Sequence, residues 1–158
     1  MSGLGAPLPS RLPPLGETGK GEWELKIAHK PGLDAEFLGL LRQSILAAHE
    51  ILIRAELATP EVREYLNGVR VIVSNRMIGS AGIARLRKRE VRLNGRLLML
   101  HQDQLLTVLV HEIAHLLDDK LNGGEGHGPT WKRLMVRMGF EPERYHKMVT
   151  QGVRSLAR

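Results

Sequence analysis

The chain has 158 residues, 23 Lys+Arg against 17 Asp+Glu, seven His and no Cys. That length suits one domain, with enough chain to bury a core without staples. The lack of cysteine excludes disulfides, thiol nucleophiles and any Cys-ligated zinc ribbon, so a metal would have to be held by His and carboxylate. A net charge of +6 and a pI near 10.1 favour polyanionic partners, which speaks to association rather than to fold.

Residues 1–21 are dense in Gly and Pro, from Gly3 and Gly5 to Gly19 and Gly21. Pro removes donors and fixes φ, and Gly raises the entropy lost on ordering, so the expectation is a flexible leader over 1–30 ahead of a single domain over 31–158. The N-terminus has neither a basic start nor an unbroken apolar stretch, which argues against a secretory signal. No apolar run reaches the roughly 18–20 residues that span a bilayer. The expected setting is intracellular (cytoplasm, nucleoid or nucleus), with no membrane partner.

A first helix is predicted over about 35–57. Asp34 stands as its N-cap, and Phe37, Leu41, Ile45, Ala48, Leu52 and Ala55 follow the 3-4-3-4 spacing of one buried face. Thr59-Pro60 opens a short helix that stops at Asn67-Gly68. Three strands follow, at Val69 to Val73, Met77 to Leu86 and Glu90 to Leu93, the last ending at Asn94-Gly95. The short links between them predict an antiparallel meander, because parallel crossovers need a dozen or more residues. The next helix, about 103–121, is apolar nearly all round, which marks it as central. Gly123-Gly124 ends it. A helix from Pro129 buries Trp131, Leu134, Met135 and Met138, and the stretch from 141 to 158 is basic and weakly helical.

Inside the central helix lies His111-Glu112-Ile113-Ala114-His115, an H-E-x-x-H pattern. Residues four apart differ by roughly 40° around a helix, so both imidazoles point one way and can grip one ion. Glu112 is offset by about 100°, near enough to reach a water on that ion without being a ligand. Burying two imidazoles and a carboxylate unpaired costs several kcal/mol, so these groups need a partner, and zinc supplies one. A catalytic zinc takes three protein ligands and keeps a fourth position open. His127, in the Gly126-His127-Gly128-Pro129 turn, is the first candidate for the third ligand. Asp118 shares the helix face of His111 and His115 and is the rival, with Asp119 and Glu125 weaker.

The combination of His111-Glu112-x-x-His115, an eleven-residue gap and His127-Gly128-Pro129-x-Trp131 resembles the SprT-like metalloprotease domain, the family of Spartan. The resemblance runs from about 35 to 140 and includes Gly82 in a strand, Val91-Arg92-Leu93-Asn94 and Leu97-Leu98. It implies an α+β, zincin-like domain, here with a small antiparallel three-stranded sheet packed on the central helix and flanking helices. It also implies one zinc ion on His111, His115 and His127, Glu112 as general base, and Trp131 as a packing residue seating the third-ligand loop. The family cleaves proteins bound or crosslinked to DNA. Many members carry a C-terminal zinc ribbon, which a chain without cysteine cannot form.

Arg85, Arg87, Lys88, Arg89, Arg92 and Arg96 crowd one strand-turn-strand region, and Lys132, Arg133, Arg137, Arg144, Lys147, Arg154 and Arg158 form a second group. Such clusters neutralise phosphates and give salt-sensitive binding without regard to base sequence. The first group is therefore the expected DNA contact. His29, His49 and His101 have no partner pattern and are read as structural or exposed, and Tyr145-His146 as surface residues. The expected function is zinc-dependent peptide hydrolysis of protein substrates, with DNA as a partner that the basic surface and the resemblance imply. Two alternatives stand beside it: a non-catalytic DNA-binding module with structural zinc, and a zinc peptidase unrelated to DNA.

Overall fold

The computed structural model describes residues 26–29, 33–124 and 126–143. Strand β1 (Lys26–His29), which falls in the stretch expected as a leader, precedes helices α1 (Ala35–Arg54) and α2 (Pro60–Asn67). Strands β2 (Arg70–Ser74), β3 (Gly82–Arg85) and β4 (Glu90–Asn94) follow. Helix α3 (Gly95–Leu100), a 3₁₀ turn at 102–104, α4 (Leu105–Asn122) and α5 (Pro129–Arg137) complete the order. Residues 141–143 are not helical, and the rest of the stretch expected to be weakly helical, with Arg144, Tyr145, His146, Lys147, Arg154 and Arg158, lies outside the described residues.

The capping signals act locally. Asp34 Oδ1 accepts from the Phe37 amide at 2.7 Å, and the Thr59 hydroxyl accepts from Val62 at 3.2 Å, with Pro60 in the first turn of α2. Each cap satisfies an amide that the helix cannot. The apolar face of α1 is buried as its spacing predicts, with Phe37, Leu41, Ile45, Ala48 and Leu52 at or near zero exposure.

The sheet corrects the expectation of a three-stranded antiparallel meander. Four strands lie in the order β1-β2-β4-β3; β1 and β4 both run parallel to β2, and only β3 and β4 are antiparallel. Sequence neighbours β2 and β3 do not pair. Their short link is therefore part of a longer β2-to-β4 connection, residues 75–89, which has the length that a parallel crossover needs. The strand ends at Asn94-Gly95 as expected, and a helix starts there. Asn94 caps α3, accepting from Leu97 at 3.1 Å, while its Nδ2 donates to the Ser80 carbonyl at 2.9 Å and ties down the loop before β3.

Helix α4 is the central element, in contact with α1, α5, β3 and β4. Leu105, Val108, Leu109, Ile113, Ala114, Leu116 and Leu117 are all fully buried. A leucine buried this completely contributes about 1.5–3 kcal/mol, so the polar residues on the same helix sit on a rigid rod.

Candidate metal centre

Three of the polar residues on or beside α4 converge. His111 Nε2 and His115 Nε2 each lie 3.2 Å from His127 Nε2, and the possible ligand atoms of the three residues all fall within 4.8 Å of one another. Tetrahedral coordination with Zn–N distances of about 2.0–2.1 Å requires nitrogens roughly 3.3–3.4 Å apart, so the cluster has the dimensions of three ligands to one ion. The donor chemistry agrees. Burial and His127 hold the His115 ring neutral at pH 7, and a neutral imidazole has a lone pair to offer a metal. Three nitrogens meeting at one point are relieved by a shared cation.

Trp131 forms the floor. It is fully buried, with its ring centroid 4.8 Å from His111, 5.2 Å from His115 (stacked at 15°) and 4.7 Å from His127 at a right angle. Its indole N–H points at the His111 carbonyl, 3.4 Å away. Pro129 starts the helix that carries Trp131 immediately after the His127 turn, so the residue following the loop also braces it.

Glu112 is 3% exposed and lies between α4 and β3. Among the described residues β3 is the end strand of the sheet. The Asn94 amide donates to the Ala81 carbonyl at 2.8 Å, so residues 81, 83 and 85 face β4 and the backbone groups of Gly82 and Ala84 face the free edge. The Glu112 carboxylate accepts from the Ala84 amide there. Gly82 admits this approach: a Cβ at that position would lie 2.9 Å from Val108 Cγ1 and 3.0 Å from Glu112 Cγ. No motif signals the Ala84 contact in the sequence, since it depends on strand register.

The model of the SprT-like family matches residues 48–151, about two thirds of the chain. The chain belongs to the SprT-like family. A protein named SprT from Salmonella arizonae is 42% identical to it over 78 residues, and one from Salmonella newport is 41% identical over 78 residues; each match covers 48% of this chain and 47% of the relative. The chain thus matches about half the length of these curated relatives. No solved structure matches.

Of the other ligand candidates in this SprT-like domain, Asp118 is not among the converging groups. Its carboxylate is turned toward the loop after α4, accepting from Asn122 Nδ2 at 3.0 Å. Asp119 is exposed and Glu125 lies outside the described residues. The six cations of the β3–β4 region divide. Arg92 pairs with the buried Glu90 at 3.3 Å, opposite Arg70 at 3.5 Å. Arg89 places its guanidinium 5.0 Å from the Tyr65 ring centroid, and Arg96 Nε donates to the Asn75 carbonyl at 3.1 Å. Arg85, Arg87 and Lys88 are exposed and form no ion pair with a described residue. In the second group Lys132 and Arg133 are exposed, while Arg137 donates to the Ala55 carbonyl at 2.8 Å. No helix among the described residues is long and apolar enough to cross a membrane.

Burial pushes the Glu112 carboxyl up to about 8 from 4.5, against the opposing effect of the Ala84 amide. Burial first, and His127 second, hold His115 down to about 4 from 6.5, with Asp118 and the Gly126 backbone acting the other way. The metal-free fold therefore retains a proton on Glu112 that the unfolded chain has released, and this stabilisation is lost as pH rises toward 8. His115 acts in the opposite direction, its contribution growing up to pH 6.5 and complete above it. Between pH 6.5 and 8 only the Glu112 effect remains of the two. The metal-free domain is expected to lose about 2 kcal/mol of stability across that window, at 1.36 kcal/mol per pKa unit. Urea unfolding in the presence of a chelator measures the slope, and Glu112→Gln should flatten it. An equal slope in that variant would assign the proton elsewhere.

Proposed function

We propose that this chain is a zinc-dependent endopeptidase that cleaves proteins held on DNA, with Glu112 as general base. The observation that supports it is the convergence of His111, His115 and His127 beside a buried Glu112 that rests against a free sheet edge. Among the described residues no fourth His, Asp or Glu joins the three, which favours an open position over a closed structural centre. A zinc ion held there would supply the Lewis acidity that activates water and polarises the scissile carbonyl.

The chain's own residues do the rest. Glu112 takes a proton from the attacking water and returns it to the leaving amine. Its charge is needed for the first step, and a divalent cation beside it lowers the carboxyl's pKa from its metal-free value. An extended substrate pairs with the backbone groups of Gly82 and with the Ala84 carbonyl, which brings its main chain alongside Glu112, the acceptor of the Ala84 amide. Recognition through main-chain pairing tolerates many side chains and suits targets chosen by location. Arg85, Arg87 and Lys88, one to four residues beyond Ala84, offer phosphates a contact close to the same edge.

A second reading, a zinc peptidase indifferent to DNA, is favoured by the engagement of Arg89, Arg92 and Arg96 within the fold. Cleavage of a DNA-binding protein, assayed with zinc, with chelator, and with or without DNA, tests both. Zinc-dependent cleavage accelerated by DNA and slowed by salt is expected. Cleavage unaffected by DNA would leave the second reading, and absence of cleavage under all conditions would overturn both.

A further inference from the structure

The loop that carries His127 is fastened to α4 at a point that the proposed reaction does not use. Gly123, at φ 62°, closes the helix, and the Gly123 and Gly124 amides bond the Asp119 and Asp118 carbonyls at 3.1 and 3.2 Å. Beneath this turn lies the Asp118 side chain, 1% exposed. Its Oδ1 accepts from Asn122, and its Oδ2 has no hydrogen-bond partner. Gly124 rests directly on this carboxylate, such that a Cβ at residue 124 would lie 2.8 Å from Asp118 Cγ and 2.9 Å from Oδ1. Gly124 does not have a positive φ, so alanine would meet the obstacle of space rather than of backbone strain. Two residues on, the Gly126 backbone bonds the His115 ring, and His127 follows.

Burying a carboxylate oxygen without a partner is costly, and such a group is retained where it has a task. We propose that Asp118 is a positioning residue, the seat onto which Gly124 closes so that the glycine turn ending α4 directs His127 against His111 and His115. Asp118 seats Gly124, the Gly126 backbone lies against the His115 ring, and Trp131 braces His127. The third imidazole is thereby held in place before any ion arrives, which removes an ordering cost from metal binding.

This inference rests on the reading of the three histidines as a metal centre, and its test has one arm that does not. The variants are Gly124→Ala, which fills the contact, and Asp118→Ala, which removes the seat. In the zinc arm, competition with a chromophoric chelator should show affinity reduced roughly 10–100-fold in each, the range for groups that orient a ligand. Gly124→Ala combined with His127→Ala should bind no more weakly than His127→Ala alone, since the latch acts only through residue 127. Wild-type affinity in Gly124→Ala, or a further loss in the double variant, would overturn the inference. In the metal-free arm, the His127 ring protons should carry a shift from the neighbouring Trp131 indole in NMR spectra, lost in Gly124→Ala while the dispersion of the remaining signals is kept. If the wild type holds no zinc, the metal-centre reading fails and this arm still decides the latch. An unchanged His127 signal in both variants would refute it.

Discussion

Glu112→Gln is expected to abolish peptide cleavage while leaving metal content unchanged. Glutamine has the same length and keeps an oxygen for the Ala84 amide, so the contact with β3 survives. It cannot accept a proton at neutral pH. General base catalysis accounts for roughly 10²- to 10⁴-fold in rate, and the variant should lose that much in kcat with little change in KM. Parallel metal analysis and turnover on one peptide substrate check both halves. Retained turnover would remove Glu112 from its assigned role, whereas lost metal would recast it as a ligand or a support for one.

His127→Ala should act in the complementary way, losing metal first and activity as a consequence. The ring contributes one of three converging nitrogens, 3.2 Å from each of the others. Its removal should lower zinc affinity by more than the roughly 10–100-fold typical of a residue that merely orients a ligand. His127 is half-buried at the surface of the domain, whereas Trp131 beneath it is fully buried, so the metal-free fold should survive the truncation. Zinc stabilises a folded state that binds it by about 2.7 kcal/mol at 100 times Kd. Wild-type protein should therefore melt at a higher temperature with zinc than with chelator, and the variant should show little difference at the same concentration. Equal zinc-dependent shifts in the two proteins would place the third ligand elsewhere.

Both predictions use features that stand in the sequence. The i, i+4 spacing puts His111 and His115 on one face whatever surrounds the helix, and the apolar run around them requires that the helix be central. The caps at Asp34 and Thr59 are equally local, because a cap and the amide it serves lie three residues apart. The Gly-rich break after α4 marks where the chain can turn back, and the Pro129 start of α5 marks where it resumes as helix. His127 was legible as a candidate for that reason, and Asp118 as its rival because both lie within reach of the same face.

The tertiary structure alone brings His127, and not Asp118, up to the other two imidazoles, and it also decided the sheet. Strand order is a property of pairings between distant segments, so hydrophobic period says nothing of β1 against β2, or of β3 lying beyond β4 rather than beside β2. The Ala84 amide reaches Glu112 only because the register with β4 turns it to the free edge. The fate of two arginines is likewise non-local: Arg89 is engaged because α2 presents Tyr65, and Arg96 because the Asn75 carbonyl lies beside it, whereas Arg92 pairs with Glu90 only two residues away. The histidine pattern on α4 was thus determined by the sequence through helix geometry, which repeats every few residues. Strand order, the seat of Asp118 and the cations left exposed were set by contacts between segments far apart in the chain, which no local period encodes.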